Sequence, residues 1–509
     1  MSSATSADDA WDRRRWLILG VIGLAQLMVI LDLTIMNVAL PSAQRALGFT
    51  TVDRQWVVTG YTLAFGSLLL LGGRLADLLG RKVTFLAGLA GFAVVSAIGG
   101  ASVNFAMLIT ARACQGAFAA LLVPSALSLL TTTFTKPKDR GRAFAVYGAI
   151  AGAGGALGLL LGGALTQYLS WRWTLYVNLI FAGVAFTGGA LLLKRQPSGV
   201  KPRLDVPGAL LVSSAVFCLV YGFSNAATHN WHTPSTYGFL AAGVALGVAF
   251  AAWQGRAAHP LLPPRVVLDR NRGGAYLSFF IGAAGMFGIF LFLTYYLQQT
   301  LGYSPLVAGV SFLPLSVGLI VMANLSTIVL MPRFGPKPLI AFGMLSASAG
   351  SAWLAELSPH TGYATGVLGP LILTGIGLGM VIAPVINTGT FGVAPQDAGV
   401  ASATVTVSQM LGGSVGTSLL NTIFASAAAS YITAHLAAAR LIGRQALTGL
   451  ALTHGYDTAF WWIAGIFACG AVVGGVLLRR GPLVQQRTPS PAPGGITTAQ
   501  AEASEERVQ

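Results

Sequence analysis

The stretch WLILGVIGLAQLMVILDLTIMNVAL, residues 16–40, is apolar almost throughout and holds a single carboxylate, Asp32. A hydrocarbon core of about 30 Å takes about 20 helical residues, so this run is long enough to cross one. It is too long for the apolar core of a signal peptide, and with Arg13, Arg14 and Arg15 ahead of it reads as a retained first span. A charge inside such a segment is disfavoured by about 3 kcal/mol on insertion scales, so it marks an ion path or a ligand site. A second such charge, Arg112, falls inside the fourth apolar run.

The composition extends this reading to the whole chain. With 509 residues, 54% of them apolar and only 9% charged, the sequence is too apolar for a soluble multidomain protein. It reads as an all-α integral membrane protein. The net charge of +15 comes from basic residues scattered over short segments between apolar runs, with no aromatic stacking pattern around them. That pattern sets sidedness and argues against nucleic acid. Cys114, Cys218 and Cys469 lie inside apolar runs without metal-ligand spacing, so they read as core residues rather than as disulfides or a metal site. No histidine sits mid-span, and neither an enzyme nor a metal is expected.

Spans can be marked at roughly 16–40, 55–76, 84–104, 106–132, 142–167, 173–193, 207–225, 236–254, 274–299, 305–330, 338–357, 363–390, 399–427 and 456–478, which makes fourteen. Of the 30 Lys and Arg residues, Arg45, Arg54, Arg172, Arg440 and Arg444 fall on the proposed outer side, Arg112 lies within a span and the rest are inner. Alternation of this kind requires an even number of spans with both termini cytoplasmic in a plasma membrane. Twelve spans would need two re-entrant runs. The expected organisation is a cytoplasmic N-terminus (1–15), an N-terminal six-helix bundle (16–193), a linker with two extra helices (194–273), a C-terminal six-helix bundle (274–480) and a disordered cytoplasmic tail (481–509). An external loop over 428–455 has amphipathic spacing around Tyr431, His435, Leu436, Arg440 and Arg444 and is expected to hold a surface helix.

An internal repeat supports two halves. Asp139-x-Gly141-x-Ala143 with Gly155-x-x-Gly158 recurs as Asp397-x-Gly399-x-Ala401 with Gly413-x-x-Gly416, and Pro124 has a near counterpart in Pro384. Duplicated bundles around a central site suit a transporter that rocks one half against the other.

The charged residues suggest the chemistry. Asp32 lies eight residues back from Leu40, about 12 Å below the outer end of its span, and Arg112 comes out about 10 Å deep in span four. At one depth, the two either pair or each face a shared watery cavity. A partly desolvated carboxylate there is expected to have a raised pKa and to load and release a proton near neutral pH, with Arg112 remaining charged. A static ion pair that only fixes helix packing is the alternative. Gln115, one turn from Arg112, is placed to hydrogen-bond either charge or a substrate.

Between spans two and three, the segment from Gly73 through Asp77 to Gly80, Arg81 and Lys82 embeds a carboxylate at the end of a span. That carboxylate can pair with Arg81 or accept from the N-terminus of a neighbouring helix in one conformation only, which is the chemistry of a latch. Span five carries Gly148, Gly152, Gly154, Gly155, Gly158, Gly162 and Gly163, which permit close helix approach and bending. Tyr61, Phe65, Gln115, Phe287, Phe290, Tyr295, Asn387, Gln409 and Met410 are candidate cavity residues, because aromatic and uncharged polar groups inside spans suit amphipathic ligands.

Together these segments resemble the major facilitator superfamily and, within it, the fourteen-helix drug:proton antiporter group. Leu31-Asp32-x-Thr34-Ile35-Met36-Asn37-Val38-Ala39-Leu40-Pro41 is similar to the group's first-helix motif, and Gly73 to Lys82 to the superfamily's loop signature. Leu108-x-x-x-Arg112-x-x-Gln115-Gly116 is similar to the fourth-helix motif, and Ser170-Trp171-Arg172-Trp173 with Asn178 to the start of helix six. The resemblance implies two pseudo-symmetric six-helix bundles plus two extra central helices. It also implies proton-driven efflux of hydrophobic or cationic small molecules, such as antibiotics or biocides, by alternating access. Asp32 would then carry the proton, Arg112 tune it, and Gly73, Asp77, Gly80 and Arg81 form the latch. Gly154, Gly158, Gly162 and Gly163 would be the helix-five antiporter motif, departing from it at Leu159, where the group has proline. Protons would be the coupling ion with no cofactor, and a monomer in the bilayer is expected. A proton-coupled symporter of the same fold and a non-transporting membrane sensor are the competing readings.

Overall fold

The computed structural model describes residues 2–49, 51–194, 205–228, 231, 233–258, 260–358, 361–394, 397–435 and 443–483. Among the described residues the chain is helical and has no strand. The helices are α1 (Ser2–Leu47), α2 (Thr51–Leu79), α3 (Arg81–Gly100), α4 (Phe105–Thr133), α5 (Pro137–Tyr168), α6 (Trp173–Leu192), α7 (Val206–Thr228), α8 (Pro234–Gln254) and α9 (Arg270–Tyr295). Next come α10, assembled from Pro305–Ser311, Leu313–Leu325, a π-helical turn Ser326–Leu330 and Met331–Phe334, then α11 (Pro336–Leu354), α12 (Leu368–Gly389), α13 (Ala398–Ala434) and α14 (Arg444–Leu477).

Local chemistry sets several boundaries. Asn104 caps α4 by accepting from Met107 N at 2.8 Å, and Asp269 caps α9 by accepting from Arg272 N at 3.0 Å. Gly80 (φ 93°) breaks α2 from α3, and Gly335 (φ 77°) breaks α10 from α11. A left-handed turn at both places lets each helix pair reverse without a Cβ clash. These two turns are a second sign of the duplication read from the Asp-x-Gly-x-Ala repeat.

Helices α1 to α6 pack among themselves, as do α9 to α14. The two groups meet where α5 crosses α10 and α12, and where α13 crosses α2 and α4. Helix α7 lies against both α2 and α13. Ser418 of α13 donates to Phe223 O of α7 at 2.6 Å, and Trp231 Nε1 donates to Thr422 Oγ1 at 2.5 Å. Large apolar side chains such as Val94, Val184, Val248, Trp461 and Val472 are exposed on the outside, as a lipid-facing surface requires.

Among the described residues, twelve helices are long and apolar enough to cross a membrane by length and composition. Helices α5 and α11, counted as spans five and eleven from the sequence, are outside that set, so fourteen spans remain an expectation. Within the stretch 428–455, expected to form an external loop, α13 continues to Ala434 and α14 starts at Arg444, so its described parts are largely helical. Residues 436–442, with Leu436 and Arg440, and the expected tail from 484 onward lie outside the described residues.

Candidate functional site

Asp32 and Arg112 meet. Arg112 Nη1 lies 2.6 Å from Asp32 Oδ2, and each side chain is 1% exposed. The same Nη1 donates to Gln115 Oε1 at 2.9 Å, Arg112 Nε donates to Val57 O at 3.4 Å, and the guanidinium lies 4.5 Å from the centre of the Tyr61 ring. On the other carboxylate oxygen, Asp32 Oδ1 accepts from Gln115 Nε2 at 3.2 Å and from Asn178 Nδ2 at 2.7 Å. Gln115 Nε2 also donates to Ser96 Oγ at 2.7 Å. One carboxylate therefore ties α1 to α4 and α6, and through Gln115 to α3. Of the two arrangements the sequence allowed, the structure has the pair. It is buried within the first bundle, and three donors, Arg112, Gln115 and Asn178, converge on the carboxylate. Buried pairs of this kind gain from their geometry and hydrogen bonds what desolvation takes away, so removing one partner is far more disruptive than removing both.

The second cluster lies at the end of the molecule that carries Arg81, Lys82, Arg140, Arg265 and Arg272, called here the basic end. Asp77, at the last turn of α2, lies 3.8 Å from Arg81 and accepts from Gly399 N, in the first turn of α13, at 3.2 Å. It thus makes both contacts proposed for a latch at once, and Gly399 belongs to the opposite bundle. The glycines have a steric reason. A Cβ on Gly73 would lie 2.7 Å from Gly399 O, and one on Gly399 would collide with Gly73 O. Only glycine lets the two backbones approach this closely.

The repeat makes a related contact on the other side of the molecule. Gly141, the counterpart of Gly399, faces Thr327 O of α10, where a Cβ would lie at 3.0 Å. Arg140 reaches across the bundles there. It donates to Asn387 Oδ1 at 3.1 Å and to Thr390 O and Oγ1 at 3.2 Å, with its guanidinium 4.9 Å from the Phe144 ring centre. The acids of the repeat are paired too, Asp139 with Arg15 at 3.1 Å and Asp397 with Arg265 at 2.9 Å. Hydrogen bonds thus join the two bundles at two places at the basic end.

Helix α5 presents two glycine faces. Gly154, Gly158 and Gly162 lie against Ile30, Thr34 and Ile35 of α1, while Gly148, Gly155 and Gly163 face Ala383, Phe290 and Leu306 of the opposite bundle. The motif glycines other than Gly163 therefore pack α5 on its own bundle.

The candidate cavity residues separate. Tyr61 and Phe65 are buried in the first bundle, Tyr61 beneath Arg112, and Gln115 is bound into the Asp32 network. Asn387 is the acceptor of Arg140 at the basic end. Tyr61, Gln115 and Asn387 thus each have a partner on a neighbouring helix that spacing along one helix cannot reveal, and Phe65 packs against Tyr61 of its own helix. Phe287, Phe290, Tyr295, Gln409 and Met410 are half-buried in the second bundle, with Phe290 stacked 5.2 Å from Phe312 and facing Gly155 across the interface. Sequence reasoning missed Arg140, Thr390 and Ser96. Arg140 carried a signal: at the repeat offset its counterpart is Ala398, so the charge belongs to one half only.

A family model described as Major Facilitator Superfamily matches residues 22–417. The puromycin resistance protein pur8 of Streptomyces alboniger is 47% identical over 469 residues, covering 92% of each chain. The cephamycin export protein CmcT of Amycolatopsis lactamdurans is 40% identical over 406 residues, 79% of this chain and 83% of that one. In structure, the human organic anion transporter MFSD10 superposes with a TM-score of 0.62 at 16% identity, covering 90% of this chain and 99% of that chain.

Proposed function

The chain belongs to the major facilitator superfamily, and on that premise we propose that it exports antibiotic-like small molecules across the plasma membrane in exchange for protons. Family membership makes it a membrane transporter and not an enzyme. Support for the direction and the substrate class comes from relatives named for puromycin resistance and cephamycin export. The observation that carries proton coupling is Asp32, a carboxylate 1% exposed in a membrane helix whose three donors come from three side chains. A group so placed changes the charge of the bundle core when it gains a proton, and Arg112 must then rely on Gln115, Val57 O and Tyr61.

Helix α2 offers the mechanical link. Its outer half holds Arg112 through Val57 O and Tyr61, and its basic end carries Gly73 and Asp77 of the latch. From Val57 to Asp77 is about 30 Å of continuous helix at ~1.5 Å per residue, so a shift at one end is felt at the other. In this reading the fourteen helices all cross, the basic end faces the cytoplasm, and the structure is the conformer closed on that side. Protonation of Asp32 frees α2 and α4 to move, the contacts of Asp77 and Arg140 open, and substrate enters from within.

The test is energised efflux in a pump-deficient bacterium, with puromycin first among a panel of antibiotics and dyes, by wild type and by Asp32→Asn at matched membrane levels. Efflux that collapses with a protonophore and is lost in Asp32→Asn is the expected result. An Asp32→Asn protein that pumps like wild type overturns the coupling role. Uptake into cells, or release from inside-out vesicles under an imposed proton gradient, would reverse the direction.

A further inference from the structure

One member of the Asp32 network has only one end engaged. Asn178, in the second turn of α6 and 0% exposed, gives Nδ2 to Asp32 Oδ1, while its own Oδ1 meets no donor among the described residues. A buried amide carbonyl without a partner is costly and calls for a reason. Gln115 contrasts with it. Its Oε1 accepts from Arg112 and its Nε2 serves both Asp32 and Ser96, so turning that amide would break its hydrogen bonds to both Arg112 and the carboxylate. Turning Asn178 by half a rotation sacrifices only the bond to Asp32.

The ionised carboxylate is satisfied by donors alone, but a neutral acid brings an O–H and needs an acceptor. Arg112 has none, and Gln115 is committed. The charged and titratable groups facing the pair are Arg112 of α4 and Tyr61 of α2, with Ser96 as the contribution of α3 and Asn178 that of α6. The Tyr61 hydroxyl also lacks a partner, but its ring is held against the guanidinium.

We propose that Asn178 is a positioning residue that reads the protonation state of Asp32: it donates through Nδ2 to the carboxylate and, turned over, accepts the acid O–H through Oδ1. Asp32 gains one proton and none passes to Asn178. The rotation needs no backbone movement inside a packed bundle, and it removes the α6 donor at the moment the carboxylate is neutralised and the ion pair is lost. This rests on the reading of Asp32 as the proton site.

The test is infrared difference spectroscopy, acid minus alkaline, on the purified protein in lipid nanodiscs. The carboxylic acid C=O band of Asp32 is identified by its loss in Asp32→Asn. In Asn178→Val the acid has no acceptor and the band is expected at higher wavenumber. Asn178→Thr has the same shape but keeps a hydroxyl that both donates and accepts, and it is expected to return the band toward wild type. Tyr61→Phe is expected to leave it in place. In wild-type protein with 13C-labelled asparagine, an amide C=O band is expected to change with pH and to be silent in Asp32→Asn, a readout that needs no Asn178 variant to fold. A band unmoved in Asn178→Val, or moved by Tyr61→Phe instead, overturns the role of Asn178 alone. Absence of any Asp32-dependent acid band overturns the proton-coupling reading, and this inference with it.

Discussion

Arg112 shows why the identity of one residue matters more than its charge. Its guanidinium serves Asp32, Gln115 and Val57 O while lying over the Tyr61 ring. A lysine ammonium is compact and has no plane to stack, so Arg112→Lys is expected to lower transport about tenfold or more at unchanged membrane levels. Arg112→Ala leaves a buried carboxylate uncompensated, and the expected loss is about 3–5 kcal/mol, read as a lower thermal midpoint in detergent. The double variant Asp32→Asn with Arg112→Ala is expected to regain most of that midpoint but no transport. If it stayed as unstable as Arg112→Ala, the pair would not be the source of the effect.

At the scale of elements, the two closures of the basic end are built differently and separate experimentally. The α2–α13 contact depends on Gly73 and Gly399, so Gly399→Val is expected to hold the helices apart whatever Asp77 does. The α5–α12 contact depends on Arg140, and Arg140→Ala removes its hydrogen bonds to Asn387 and Thr390 without steric change. Alkylation of single cysteines placed near the basic ends of α2 and α12 checks this: each variant is expected to raise the rate several-fold, and the pair to exceed either one. Equal rates in all of them would mean that neither contact holds the end closed.

The extra helix pair has its own fastening. Asp205, just before α7, accepts from Gly208 N, Trp253 Nε1 and Gln254 Nε2 at 2.9 Å each and from Leu261 N at 3.3 Å. Burial pushes its carboxyl up, but hydrogen bonds from Trp253, Gly208, Gln254 and Leu261 outweigh this and hold it below the ordinary value of 3.8. A depressed folded pKa contributes stability above the unfolded pKa and loses it as pH falls through the folded one. The thermal midpoint of wild type is therefore expected to drop on acidification below about pH 4 by a component that Asp205→Asn lacks. Asp205→Asn should already be less stable at neutral pH.

At the scale of the whole molecule, the duplication is visible in the fold, and its breakdown is the informative part. Gly80 and Gly335 make the same left-handed turn, and Gly141 and Gly399 both bring a helix N-terminus onto the opposite bundle. Yet the carboxylate that reaches the opposite bundle belongs to the first half only, since Pro332 occupies the place of Asp77 when the two turns are aligned on their glycines. The buried charge pair is likewise confined to the first bundle. Under the proposed function, one bundle handles the proton, and the half-buried Phe290, Gln409 and Met410 leave the second free to vary for substrate. Phe290→Ala is expected to change the rank order of exported compounds while leaving protonophore sensitivity intact, checked by susceptibility profiles.

By itself the sequence determined the membrane-spanning class, the two halves, Asp32 and Arg112 as charges inside apolar runs, and an embedded carboxylate, Asp77, at the end of the second run. Each of these follows from periodicity, from charge in an apolar run, or from a fixed offset along one chain. The tertiary structure decided the partners. It paired Asp32 with Arg112, added Asn178 and Ser96 from α6 and α3, and buried Tyr61, Phe65 and Gln115 within the first bundle. It also gave Asn387 to Arg140 and matched Gly73 with Gly399 across the bundles. Which helix faces which is settled by packing between segments hundreds of residues apart, and helical spacing within a segment carries no information about that choice.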